Sequence, residues 1–341
     1  MTQRRRVLVC GWSGAGNVGD ELLTSALLAM AENAGIELVV RSADPARTRQ
    51  AHPGVQVVGR GLWPVLTLGG CDAVCVGPGG IIQDSSSVWS LPMHLAPALV
   101  ARLRRRPVVG LGLGADRLLR RSSRWLLRWA LAGQPVVVRD EASREALAVA
   151  GVEADIDSDL AVEELIARAP GEGCGVVVAI GPNAGRGRFR RGRDRLVHDD
   201  PQVVAGLVDD LVVRFGGPVQ AVLFRGERDR WFATQVVDRT KHPVTIVEDP
   251  HQAVEAVWNA AVVITSRFHA ALVGVMAGAV VVADVRQQKV ASLSSVPELA
   301  SRFVTRPGWV GNLPDQLPAR SVMVTPQRTG ANRRILALLS R

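Results

Sequence analysis

Short β-branched runs recur along the whole chain, each closed by glycine or a charged turn and followed by a helix-length segment. In the first half they fall at 7–11, 36–40, 72–76, 107–111 and 135–138, and in the second at 176–180, 219–224, 244–247, 261–265 and 280–285. Runs of this length without alternation are strands buried on both faces, and strands joined through helices pair in parallel. The chain is therefore read as α/β, with parallel sheets covered by helices. Its 341 residues exceed one ordinary domain and suit two. The break is placed in Ala169-Pro170-Gly171-Glu172-Gly173-Cys174-Gly175. The expected plan is one domain over 1–170, a second over 171–325, and a last helix within 326–341 that packs back on the first.

Charge narrows the partners. Lys and Arg number 41 against 32 Asp and Glu, a net charge of +9, which favours phosphorylated metabolites, anionic glycolipids, a membrane surface or nucleic acid. Nucleic acid is set aside, because a chain with no Tyr and six Phe offers no aromatic stacking platform. Cys10, Cys71, Cys75 and Cys174 match no metal spacing and are read as reduced, mostly buried thiols. Arg4-Arg5-Arg6 precedes only four apolar residues, too few for a signal sequence, and no later run reaches a membrane span. The expectation is a cytoplasmic protein. Six arginines crowd 186–195, and this loop is read either as a solvated basic linker or as a peripheral contact with the inner face of the cell membrane.

The richest stretch is Ile264-Thr265-Ser266-Arg267-Phe268-His269-Ala270-Ala271-Leu272, where an apolar strand turns into a helix that stops at Gly278. A first helical turn offers unpaired N–H groups and the positive end of the macrodipole, so Arg267 and His269 mark an anion site. Its counterpart near the N-terminus is a loop with Gly14-x-Gly16-Asn17-x-Gly19, followed at once by Asp20-Glu21. The glycines formally match a dinucleotide fingerprint, with Asp44 where a ribose-binding acid would come. Two such mouths, far apart in sequence, suggest a cleft between two domains. On spacing alone Asp20 reads rather as a helix cap, Arg139 equally as half of a surface ion pair with Asp140, and Lys289 rather as a solvated charge.

Taken in order, Gly14-x-Gly16-Asn17-x-Gly19-Asp20-Glu21, Gly79-Gly80-Ile81-Ile82-Gln83-Asp84, Arg139-Asp140-x-x-Ser143, Arg267-Phe268-His269-Ala270 and Lys289-Val290 resemble one family, the polysaccharide pyruvyl transferases. The resemblance implies a GT-B-like fold, two Rossmann-like domains with parallel sheets facing a cleft, with the acceptor on the N-terminal side and the donor on the C-terminal side. It implies transfer of pyruvate from phosphoenolpyruvate onto a sugar as a ketal, with release of phosphate and no metal or other cofactor. In the bacterial branch the sugar is often an N-acetylmannosamine of a lipid-linked secondary cell-wall polymer, whose pyruvylated end anchors surface-layer proteins. The family's functional positions fall on Asp20, Arg139, His269 and Lys289. The chain departs from the family pattern at Pro78, Ala115, Asp157-Ser158-Asp159 and Gln287-Gln288, which bears chiefly on the acceptor.

A pocket for phosphoenolpyruvate must set several cations and N–H donors against a carboxylate and a phosphate. Arg139, Arg267 and Lys289 are the candidate cations, with Gly16, Asn17, Gly79, Gly80 and Asp84 as further binding positions. Ketal formation also needs an acid for the methylene carbon and a base for the attacking hydroxyl. His269 is the candidate acid and Asp20 the candidate base. The principal rival is a nucleotide-sugar-dependent GT-B-type glycosyltransferase. A dinucleotide oxidoreductase, resting on Gly14, Gly16 and Gly19, and a non-catalytic membrane-docking protein, resting on Arg186–Arg195, are weaker.

Overall fold

The computed structural model describes residues 4–85, 87–181, 200–283, 288–294, 296–304 and 329–340. The loop 186–195 lies outside them. The chain forms two compact units, one of Met1–Ala15, Asp20–Glu164 and Pro326–Arg341, the other of Gly16–Gly19 and Leu165–Thr325.

The first unit is built on strands β1 (Arg6–Cys10), β2 (Glu37–Ser42), β3 (Gln56–Gly59), β4 (Ala73–Val76), β5 (Gly79–Ile82), β6 (Val108–Ala115), β7 (Val136–Val138) and β8 (Asp155–Ile156). They pair in parallel in the order β3-β2-β1-β4-β6-β7-β8, with β5 also on β6. Leu8, Val74, Val76, Leu113 and Val138 meet Leu91, Leu95 and Leu127 from the covering helices in one core. After the run at 72–76 the glycines of 77–80 suggest only a turn. The structure instead makes β5 there, because Ile81 and Ile82 are buried against the sheet beside Leu113 and Ala115.

The second unit repeats the plan with β9 (Val176–Ala179), β10 (Val219–Val222), β11 (Val244–Val247), β12 (Val262–Thr265), β13 (Val280–Ala283) and β14 (Phe303–Val304). Among the described residues all pair in parallel, in the order β11-β10-β9-β12-β13-β14. Val176, Val178, Val262, Ile264, Val280 and Val282 pack with Val208, Leu211 and Phe232. The glycine-rich stretch at 169–175 is tied into this unit: Trp258 Nε1 donates to the Ala169 carbonyl, and Cys174 N–H donates to the Asn259 carbonyl.

The C-terminal segment returns to the first unit. The helix Ala331–Ser340 packs against β6 and β7, and its start is capped from a distance: Asp157 accepts from Thr329 N–H at 2.8 Å and from Asn332 N–H at 2.9 Å. Asn332 in turn accepts Gly112 N–H. No helix of the described residues is long and apolar enough to cross a membrane.

Each sheet reverses direction beside its first strand, between β1 and β4 and between β9 and β12. At such a switch point adjacent loops leave the strand ends in opposite directions and open a crevice, where ligands of open α/β sheets bind. The glycine loop leaves β1, and Gly77-Pro78 leaves β4. In the second unit Gly181 follows β9, and Ser266-Arg267 follows β12.

Candidate active site

In the first unit the two acids that follow the glycine loop have different tasks. Glu21 accepts Gly14 N–H at 2.9 Å and pairs with buried His52 at 3.0 Å, which holds the loop. Asp20, also buried, lies at the strand ends, where a Cβ on Gly79 would come within 3.2 Å of its Oδ1. Gly79 has φ +108°, a conformation that favours glycine there. Gly80 beside it is exposed.

Two arginines close this end of the sheet. Arg41 donates to the Arg60 and Met93 carbonyls, and the Arg60 guanidinium lies 4.5 Å from the centre of the Trp12 ring. Burial first, and then the like charge of Arg41, pushes the Arg60 pKa down to about 10, while Asp20 pulls it back up. The Trp12 ring also meets His94, tilted by 44°, at 4.8 Å between ring centres. Burial, followed by Arg60 and Arg41, lowers the His94 pKa to about 3, so this ring stays neutral. Beside them a pocket of about 540 Å³ is lined by Trp12, Gln83, Ser87, Trp89, Ser90, Pro92 and Met93.

Arg139 and Asp84 belong to the same unit but are held by partners of their own. Arg139 is neither a surface residue nor half of a surface pair: it is 5% exposed and reaches Asp159 at 3.3 Å and Asp140 at 3.4 Å. Asp140 caps the helix Glu141–Ala148 through Ser143 N–H. Asp84 is buried and accepts the N–H groups of Leu119 and Arg120 at 3.0 and 2.9 Å. Burial pushes its carboxyl pKa up, but those N–H groups, Ser123 and Arg120 outweigh it and hold the pKa below the ordinary value. A carboxyl with a depressed folded pKa stabilises the fold above its unfolded pKa and ceases to as pH falls through the folded one. Asp84→Asn is therefore expected to cost about 1–2 kcal/mol near neutral pH. The gap should close below the ordinary aspartate value of 3.8. Denaturation midpoints of both proteins against pH check this, and a pH-independent gap would reject it.

The second unit holds the other group. Arg267 is the N-cap of the helix Phe268–Met276, and Gly278 at φ +80° ends that helix. Thr265 Oγ1 accepts Arg267 N–H at 2.8 Å, which sets the turn off the strand. The Arg267 guanidinium is paired with the fully buried Asp229, whose second oxygen accepts Arg225 N–H at 2.9 Å. A Cβ on Gly181 would fall onto both members of that pair. Residues 16–19 count with this unit: Val18 N–H donates to the Phe224 carbonyl, and a Cβ on Gly19 would lie 2.0 Å from His269 Nδ1. Asn17 accepts Gly19 N–H, and Gly16 turns at φ +72°.

The candidates thus fall into two groups. Asp20 and Gly79 meet in one unit, where Gly80, Asp84 and Arg139 are also found, and Gly16, Asn17, Arg267 and His269 gather in the other. Lys289 lies in the helix Gln288–Ser294, and its side chain is outside the described residues. Asp44, which stands where the formal dinucleotide match would put a ribose-binding acid, caps the helix Pro45–Ala51. Sequence reading misses Trp12, Arg60, Asp159 and Asp229. Of these only Trp12, an aromatic side chain inside a glycine loop, carried a readable signal. Among the described residues no cluster of His, Cys, Asp and Glu is arranged to hold a metal.

Residues 17–283 match the family model described as polysaccharide pyruvyl transferase. Comparison with curated proteins returns no match. Among solved structures the chain is similar to the UDP-GlcNAc 2-epimerase of Methanocaldococcus jannaschii, with a TM-score of 0.57, 11% identity and 99% of each chain covered. It is also similar to the UDP-GlcNAc 2-epimerase of Neisseria meningitidis bound to UDP-GlcNAc, with a TM-score of 0.55, 10% identity, and 85% of this chain and 86% of that one covered. At these identities the likeness is one of fold, the GT-B-like pairing of two Rossmann-like units.

Proposed function

The chain belongs to the polysaccharide pyruvyl transferase family, and from that footing we propose that it moves pyruvate from phosphoenolpyruvate onto a sugar as a ketal and releases phosphate. The observation that carries this reading is the Arg267 guanidinium at a helix N-terminus on a sheet switch point, with His269 two residues on. Such a position suits a small, densely charged anion. Asp229 fixes the guanidinium, and Arg139 and Lys289 are the further cations of the reading.

The chemistry follows from the donor. His269 gives a proton to the methylene carbon, which makes the neighbouring carbon electrophilic. One sugar hydroxyl adds to that carbon and the phosphate leaves. A second hydroxyl then closes the ketal. Of the two hydroxyl protons, one replaces that lost to the methyl group and the other leaves with phosphate, with Asp20 as the base that takes it up. The acceptor side is the first unit, where the exposed Trp89 offers a face for the C–H side of a pyranose and Gln83, Ser87 and Ser90 offer hydrogen bonds. An acetamido sugar such as N-acetylmannosamine on a lipid-linked cell-wall polymer fits that mixture.

A ligand panel tests the reading. Phosphoenolpyruvate is expected to raise the melting temperature of the wild type, and the rise should vanish in Arg267→Ala but largely persist in His269→Ala, which keeps the guanidinium and the helix N-terminus, each measured against its own unliganded baseline. Stabilisation by UDP-GlcNAc with no response to phosphoenolpyruvate would transfer the site to a nucleotide-sugar enzyme.

A further inference from the structure

The helix Arg121–Leu131 buries Ser123, Leu127, Ala130 and Leu131 and turns its other face to solvent. That face carries Trp125 and Trp129, 58% and 53% exposed, stacked on one another at 5.1 Å between ring centres. Leu119, in the turn that leads into the helix, is 67% exposed. Around these apolar groups the charge has one sign: residues 117–134 contain five arginines and no acidic residue. Arg120 is bound to Asp84, but Arg117, Arg121 and Arg128 are exposed. At the far end of the helix Arg102 donates to the Ala132 carbonyl at 2.7 Å. That bond brings the 75% exposed Leu103 and the exposed Arg104 and Arg105 beside the same element.

Large apolar side chains exposed in a contiguous patch mark a docking surface. Indole is the side chain that rests at a lipid headgroup boundary, with its ring among acyl chains and its N–H towards water. Arginine stems lie along apolar surface while their charge reaches lipid phosphates. We propose that this helix face docks the protein onto an anionic phospholipid surface, with Trp125 and Trp129 entering the headgroup layer and Arg121 and Arg128 on the phosphates. A second copy of the chain is the less favoured occupant. A two-fold interface sets one patch against itself, and here that would bring arginines against arginines with no acid among residues 117–134 to separate them. The surface is distinct from the proposed pyruvyl transfer, so vesicle binding stands or falls without it.

Flotation of the full-length protein with vesicles separates the outcomes. The wild type is expected to float with vesicles of equal parts phosphatidylglycerol and phosphatidylcholine, not with phosphatidylcholine alone, and to be released as ionic strength rises. Trp125→Ser/Trp129→Ser should abolish flotation. Arg121→Gln/Arg128→Gln should weaken partitioning roughly twentyfold or more, about fivefold per arginine. Circular dichroism and melting temperature verify that both variants keep the fold, as substitutions of exposed side chains should. The proposal is overturned if the wild type does not float, if both variants float like it, or if neutralising the arginines of 186–195 abolishes binding while the helix variants do not. A dimer in solution that both variants dissociate would assign the patch to a second copy instead.

Discussion

Replacing His269 by Ala is expected to lower kcat for phosphate release from phosphoenolpyruvate in the presence of acceptor by about 10²- to 10⁴-fold, the usual contribution of a positioned acid or base. KM for phosphoenolpyruvate should change far less, because Arg267 and the helix N-terminus remain. Gly19→Ala separates the role of the imidazole from its mere presence. The added methyl carbon would stand 2.0 Å from Nδ1, so the ring must swing away. The backbone at Gly19 is not among the glycines of positive φ, so alanine is accepted there without conformational strain. Because His269 Cβ also lies 2.9 Å from that position, the ring's swing alone does not make room, and the expected outcome is a fall in kcat of at least about tenfold with a lowered melting temperature. Steady-state phosphate release checks both variants. If His269→Ala retained activity within about twofold of wild type, the imidazole would have no part in proton transfer.

Why some of this was legible in the sequence and some was not follows from the range over which each interaction acts. Strands such as Val262–Thr265 and Val280–Ala283 announce themselves because burial on both faces leaves no solvent-facing position and so no alternation. Helix ends are local too, so Gly278 and Asp140 stand as expected, one a positive-φ stop and the other a cap. The glycine loop shows how a correct pattern can rest on another cause. Gly14 is required because it takes φ +72° and a Cβ would strike Ser42, whereas Gly19 is required for room beside His269. Neither reason is a nucleotide. Pairings between remote segments leave no local trace. Asp157 caps a helix some 170 residues downstream, and Asp84 caps the approach to Arg121–Leu131 from another loop. Arg139 illustrates the same limit. Its sequence neighbour Asp140 suggests a surface pair, but Asp159, twenty residues away, takes it into the interior.

Asp229 is where that limit bears most on function, and Asp229→Ala is expected to destabilise the second unit by about 3–5 kcal/mol. The carboxylate is fully buried and the Arg267 side chain is 11% exposed, so truncating the acid strands a guanidinium with little water to solvate it. Arg225 N–H loses its acceptor in the same step. If the pair were there for stability, an apolar replacement of both members would serve equally well, since the desolvation of two charges offsets much of their attraction. Asp229→Leu/Arg267→Met should therefore recover most of the lost stability. It should not recover the response to phosphoenolpyruvate, because the charge that the proposed donor site needs is gone. Denaturation midpoints and ligand-induced melting shifts on the single and double variants separate the two roles. A double variant that regained the phosphoenolpyruvate response would remove Arg267 from the donor site. A single Asp229→Ala variant within about 1 kcal/mol of wild type would show that Arg267 does not depend on its buried partner. In the expected pattern the acid is kept in order to hold a cation at the mouth of the sheet, and its cost in desolvation is borne for the sake of the anion that the cation binds.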